Sequence, residues 1–248
     1  MLRLKRLLVF GLLAVAVIAG FSFWAVGRSG EGIRTAVAAP PSAVAKLEGA
    51  DITTAVNVTP SPDAQWLTGA AARTGIPARA LRAYVAAAVT ANATTPGCGI
   101  GWNTIAAIGF VETAHGSYGG GSLNAAGQVS GPIVGPSLNG DGFAAIPDTD
   151  GGALDGDPHW DHAVGPMQFI PSTWRLAGRD GSGDGVADPF NIDDAALSAA
   201  DYLCGHGRDL TTPRGWTDAI YAYNQSDAYI RNVQARATVY AARAAAQG

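Results

Sequence analysis

Glu112 is the only glutamate in the part of the chain that reads as globular, because Glu31 and Glu48 fall in a Pro/Ala/Gly-rich stretch near the N-terminus. Trp102, Ile105, Ile108 and Glu112 recur at helical spacing in GWNTIAAIGFVETAHG (101–116), so the carboxylate takes the next slot on an apolar stripe. The helix must stop near Gly116, which places Glu112 in its last turn, where unpaired carbonyls and the negative end of the dipole disfavour another negative charge. Both effects raise its pKa, as a general acid requires. A partly buried glutamate hydrogen-bonded for structural reasons is the competing reading.

A second cluster able to do chemistry is DGSGDGVADPFNIDD (180–194). Asp180, Ser182 and Asp184 alternate oxygen ligands, Gly185 supplies a tight turn and Val186 offers a carbonyl, as in a calcium loop, but Asn191 stands where such a loop carries a bidentate Glu. By itself the segment reads as a solvated acidic turn capping a helix at Asp193. Asp141, Asp148, Asp150, Asp155, Asp157 and Asp161 show no ligand spacing and read as a solvated loop. His159 and His162 lie three apart without a third ligand, which argues against zinc. His115 stands close enough to Glu112 to tune it or to cap the helix end.

These residues need elements to hold them. Residues 1–6 are basic and 7–26 run without a charge, the pattern of an export signal or of an uncleaved membrane anchor. Residues 29–57 read as a flexible spacer and 58–246 as the folded domain. Without 1–28, 12 basic residues face 20 acidic ones, which argues against nucleic acid as a partner and leaves a neutral, sugar-like ligand open. Cys98 and Cys204 are the only cysteines, and in an exported domain a disulfide is the expectation, against two free thiols or half a metal site. Helical patterning marks 64–75, 77–92, 102–114, 171–176, 193–203, 216–223 and 226–246. The Gly/Asp-rich stretch 116–164 starts beside Glu112 and ends at AVGPMQF, and reads as a functional loop with room for short hairpins. The fold class is mainly α.

VETAHG (111–116), AVGPMQFIPSTW (163–174) and YAYNQSDAY (221–229) together resemble the lytic murein transglycosylases, most closely the membrane-bound B type in its actinobacterial form. The resemblance implies a lysozyme-like helical domain with a groove for peptidoglycan strands; the apolar run 7–26 sets it at the cell envelope, tethered to the cytoplasmic membrane if uncleaved or secreted if cleaved. It implies cleavage between N-acetylmuramic acid and N-acetylglucosamine with 1,6-anhydro ends, and Glu112 as the catalytic acid, then base. Gln168, Tyr202, Tyr223, Asn224 and Tyr229 match the family's substrate-binding positions, and the tyrosine rings suit the apolar faces of sugars. The family's calcium loop closes on a later aspartate, which assigns a structural Ca2+ to Asp180, Ser182, Asp184, Val186 and Asp194, with no cofactor in catalysis. Most glycosidases need a second carboxylate, whereas a transglycosylase uses the sugar's own hydroxyl and manages with one. A hydrolytic muramidase and a non-catalytic glycan-binding module are the alternatives.

Overall fold

The computed structural model describes residues 35–43, 45 and 61–246. The expected apolar helix of 1–28 and most of the spacer lie outside these residues, and among the described ones no helix is long and apolar enough to cross a membrane. Among the described residues seven α-helices carry the domain: α1 (Ala64–Thr74), α2 (Ala78–Thr94), α3 (Trp102–Thr113), α4 (Pro171–Ala177), α5 (Ile192–Cys204), α6 (Pro213–Tyr223) and α7 (Asp227–Ala245). A small antiparallel pair, β1 (Val134–Ser137) and β2 (His162–Val164), stiffens the long loop between α3 and α4.

Local chemistry sets most of these bounds. Asp63 caps α1 by accepting the Trp66 N–H at 2.8 Å, and Gly75 closes it in the left-handed conformation. The start of α6 is three residues earlier than Trp216, because Thr212 caps it through the Gly215 N–H and Pro213 occupies its first turn. The packing of α2 on α5 relies on small side chains: Ala80, Ala83, Ala87 and Ala91 face a core that includes Ala195, Ala196, Ala199 and Ala200. Such surfaces let helix axes approach closely.

The main departure from the sequence reading is α3. Trp102 to Gly109 are all buried, so the helix carries no polar face and runs through the centre, packed on α2, α5 and α7. A helix apolar all round belongs inside. Only its last turn, with Phe110, Val111 and Glu112, opens partly to solvent. Gly109 is there for space, since a Cβ at that position would run into the Tyr84 hydroxyl.

Part of the expected spacer is packed rather than free. Residues 35–43 lie along the domain: the Val37 N–H donates to Thr217 Oγ1 (3.0 Å), the Ala43 N–H to Asn103 Oδ1 (2.9 Å), and Asn103 Nδ2 to the Pro41 carbonyl (3.0 Å). Asn103 is fully buried at the start of α3, so its amide must find partners; the strap supplies two of them and the Ala237 carbonyl of α7 a third, at 3.1 Å. Cys98 and Cys204 form the expected disulfide, with Cα atoms 5.3 Å apart, tying the approach to α3 to the end of α5.

Candidate active site

Glu112 sits where α3 runs out of core. Ala114, His115 and Gly116 all take positive φ, which ends the helix abruptly; the Ala114 and His115 N–H groups bond back to the Phe110 and Gly109 carbonyls. The Tyr229 hydroxyl, held by the first turn of α7, donates to Glu112 Oε1 at 2.5 Å. Burial pushes the Glu112 pKa up to about 8, with the Tyr229 bond opposing it because it favours the carboxylate. At neutral pH the group therefore holds its proton while remaining partly open to solvent. That is the state of a general acid.

The GPMQF segment is built against this carboxyl. Thr113 Oγ1 donates to the Pro166 carbonyl at 2.6 Å, so the residue next to Glu112 is tied to the turn. Residues 165–168 form a hairpin turn closed by paired bonds between Val164 and Phe169 at 2.8 and 2.9 Å. Gly165 is required here: its φ is +76°, and a Cβ would collide with the Pro189 carbonyl. Gln168 also has positive φ (+53°), which is uncommon without a glycine and marks a position held by its surroundings. Its Nε2 donates to the Gly165 carbonyl at 2.9 Å, while its buried Oε1 has no partner among the described residues. A buried acceptor without a donor is costly unless a ligand completes it.

Tyr223 links the turn to the acid. Its hydroxyl donates to the Met167 carbonyl at 2.7 Å, and the Glu112 charge adds to the burial that holds its pKa well above the usual phenol value. The Tyr223 ring meets Phe169 and Tyr202 edge-on, with centroids 5.9 and 6.0 Å apart. Gln168, Phe169, Ile170, Thr173, Tyr202 and Tyr223 line one small pocket. Tyr202 spends its hydroxyl on the Ala222 carbonyl at 3.1 Å, so its ring is what a ligand meets. Asn224 is buried directly after α6, its N–H on the Ile220 carbonyl at 3.0 Å.

The expected set is therefore gathered from α3, the GPMQF turn, α5, α6 and α7, with one change of role. Tyr229 is only 2 % exposed and offers no ring face to a sugar; its place is on the carboxyl of Glu112. His115 closes the helix end through its backbone N–H, but its side chain is engaged elsewhere. Its buried ring lies between the Tyr84 hydroxyl (Nδ1, 3.1 Å) and the Tyr240 hydroxyl (Nε2, 3.0 Å), and burial, helped by Arg236, lowers its pKa to about 3. A neutral imidazole with one donor and one acceptor nitrogen fits two phenols. Tyr84 and Tyr240 escape sequence reading because they sit 31 and 125 residues from His115.

In the acidic loop, Asp194 is fully buried and accepts the Gly181, Ser182 and Asp188 N–H groups at 2.7 to 3.0 Å. Asp180 accepts the Gly183 and Gly185 N–H groups, and the Gly185 bond leads in holding it below the usual carboxylate range. Ser182 bridges the two, its N–H on Asp194 and its hydroxyl on Asp180. Asp184 caps the Val186 N–H at 2.9 Å. Both Asp194 oxygens are thus taken by backbone N–H groups, which tie the loop to the start of α5. In the long loop, Asp148, Asp150 and Asp161 bring carboxylate oxygens within 4.8 Å of one another, a convergence the spacing did not announce. His162 is taken by the Gly135 carbonyl (2.8 Å) and Asp157 (3.2 Å) and is not poised to bind zinc.

Residues 156–217 match the family model of the transglycosylase SLT domain. The match supports a lytic transglycosylase-type domain. The SLT segment contains Gln168, Tyr202 and the whole acidic loop, and it leaves Glu112, Tyr223, Asn224 and Tyr229 outside, where geometry alone speaks for them. No curated protein and no solved structure matches the chain.

Proposed function

We propose that this protein is a peptidoglycan lytic transglycosylase that cleaves the bond between N-acetylmuramic acid and N-acetylglucosamine. The observation that carries the reading is a glutamate carboxyl, raised to about 8 by burial and held by a phenol, beside a polar turn with an unfilled acceptor. Glu112 gives its proton to the departing glycosidic oxygen as the bond to C1 of the muramyl sugar breaks. The resulting carboxylate, steadied by the Tyr229 hydroxyl, takes the proton from the muramyl C6 hydroxyl as that oxygen bonds to C1. The nucleophile is part of the substrate, so no water is held and no second carboxylate is needed.

Gln168 Oε1 receives a hydroxyl or amide N–H of the sugar, and Tyr202 and Tyr223 flank it with their rings. The family resemblance, rather than the geometry, assigns a structural calcium ion to Asp180, Ser182, Asp184, the Val186 carbonyl and Asp194; it would neutralise buried charge and take no part in bond cleavage. Export and tethering through 1–28 would set the domain facing the wall.

Digestion of purified walls followed by mass analysis of the fragments tests the reading. Products one water lighter than reducing-end fragments are expected. Reducing ends would mean a muramidase, and an intact wall a binding module.

A further inference from the structure

A depression on the described surface lies beyond the acid rather than around it. It measures about 440 Å3, is lined by α4, the end of α5 and the turn that follows, and shares Thr173 and Tyr202 with the smaller pocket beside Gln168. In a chain of net charge −4, three arginines line it (Arg175, Arg179 and Arg208) against one acid, Asp201.

Each guanidinium is anchored by part of its donor set. Arg175 Nη1 donates to the Thr149 carbonyl, Arg179 Nε to Asp201 at 3.0 Å and its Nη1 to the Gly178 carbonyl, and Arg208 Nη1 to the Tyr202 and Leu203 carbonyls. The Nη2 groups of all three have no partner among the described residues. Anchoring removes much of the entropy that an arginine loses on binding an anion, and a planar fork with spare donors matches a carboxylate. Leu176, on the same wall, is 78 % exposed, the most open of the large apolar side chains described. An ion alone would leave it bare, whereas a peptide covers it.

We propose that this pocket binds the acidic peptide carried by the muramyl sugars of peptidoglycan: its carboxylates on Arg175, Arg179 and Arg208, its alkyl stem on Leu176, and its ammonium on Asp201. The inference rests on the transglycosylase reading and extends its substrate from bare glycan to peptide-bearing strands. Cations alone would serve a phosphate equally, but a phosphate would leave Leu176 uncovered.

The test uses the full chain, with the soluble tripeptide L-alanyl-γ-D-glutamyl-diaminopimelate and inorganic phosphate as calorimetric probes. In parallel, kcat/KM is measured on peptide-bearing strands and on strands stripped by an amidase. Saturable tripeptide binding should weaken about tenfold for each arginine removed in Arg175→Gln and Arg179→Gln, both exposed and outside the core. Leu176→Ser should weaken it without a change of charge. The preference for peptide-bearing over stripped strands should fall toward one in the double arginine variant. No saturable tripeptide binding, equal affinity for phosphate, or double-variant binding equal to wild type would overturn the proposal. If the tripeptide binds as described and neither strand is cleaved, the pocket stands and the transglycosylase reading fails.

Discussion

Glu112→Gln should abolish turnover and, at the same time, stabilise the protein in a defined pH window. Burial raises this carboxyl from 4.5 to about 8. A group whose folded pKa is raised keeps a proton that the unfolded chain has already released. The stability that this one group contributes is therefore greatest below pH 4.5, falls as pH rises by about 1.36 kcal/mol per pH unit, and levels off near pH 8, where the folded state ionises too. By pH 7 the accumulated loss reaches ~3 kcal/mol at most, and less in practice because Glu112 is partly open to water. Glutamine is neutral throughout and still accepts the Tyr229 hydroxyl, so the variant escapes this loss. For a domain of this size the gain corresponds to a Tm roughly 4 to 10 °C above wild type at pH 7, shrinking to nothing near pH 4. Paired calorimetric melts at pH 4, 5.5, 7 and 8, with wall digestion at each pH, read both effects. A Tm difference that does not vary with pH, or a variant that melts lower at pH 7, would refute the buried-acid argument. A variant retaining a tenth of wild-type turnover would remove Glu112 from the chemistry.

Tyr229→Phe removes the donor that opposes the upward shift, so the alkaline limb of the pH–rate profile should move up by about one pH unit; a limb that stays put would mean the phenol does not hold the acid. Replacing Cys98 and Cys204 by serine opens a bridge between residues 106 positions apart and should lower stability by up to ~4 to 5 kcal/mol in urea unfolding, with no change in the pH profile. Calcium should raise the Tm and chelator lower it; at a hundred times its Kd the ion adds about 2.7 kcal/mol, and Asp184→Ala should blunt the response. Gly109→Ala drives a methyl into the Tyr84 hydroxyl and should lose roughly 1–3 kcal/mol in the same unfolding assay, where a neutral result would mean α2 gives way freely.

The sequence by itself determined the chemistry on offer. A lone glutamate at the end of an apolar helix was legible because it is a local pattern whose meaning depends on a few neighbours, whereas the GPMQF segment and the Tyr-Asn pair stood out only through their resemblance to transglycosylase motifs. Helix starts were legible for the same reason where a cap stood in plain view, as at Asp63, and the Thr212-Pro213 pair carried a signal for α6 that the apolar spacing overrode. The disulfide followed from there being two cysteines and no others.

Only the tertiary structure decided what those residues do to one another. It assigned the Tyr229 hydroxyl to Glu112 rather than its ring to a sugar, set His115 between Tyr84 and Tyr240, and drew 35–43 onto Asn103. Each of these joins groups far apart in the chain, where no spacing rule reaches. The pKa of Glu112 belongs to the same class: the helix end hinted at its direction, but burial dominates it, and burial is set by the walls that α6, α7 and the turn before α4 raise around one carboxyl.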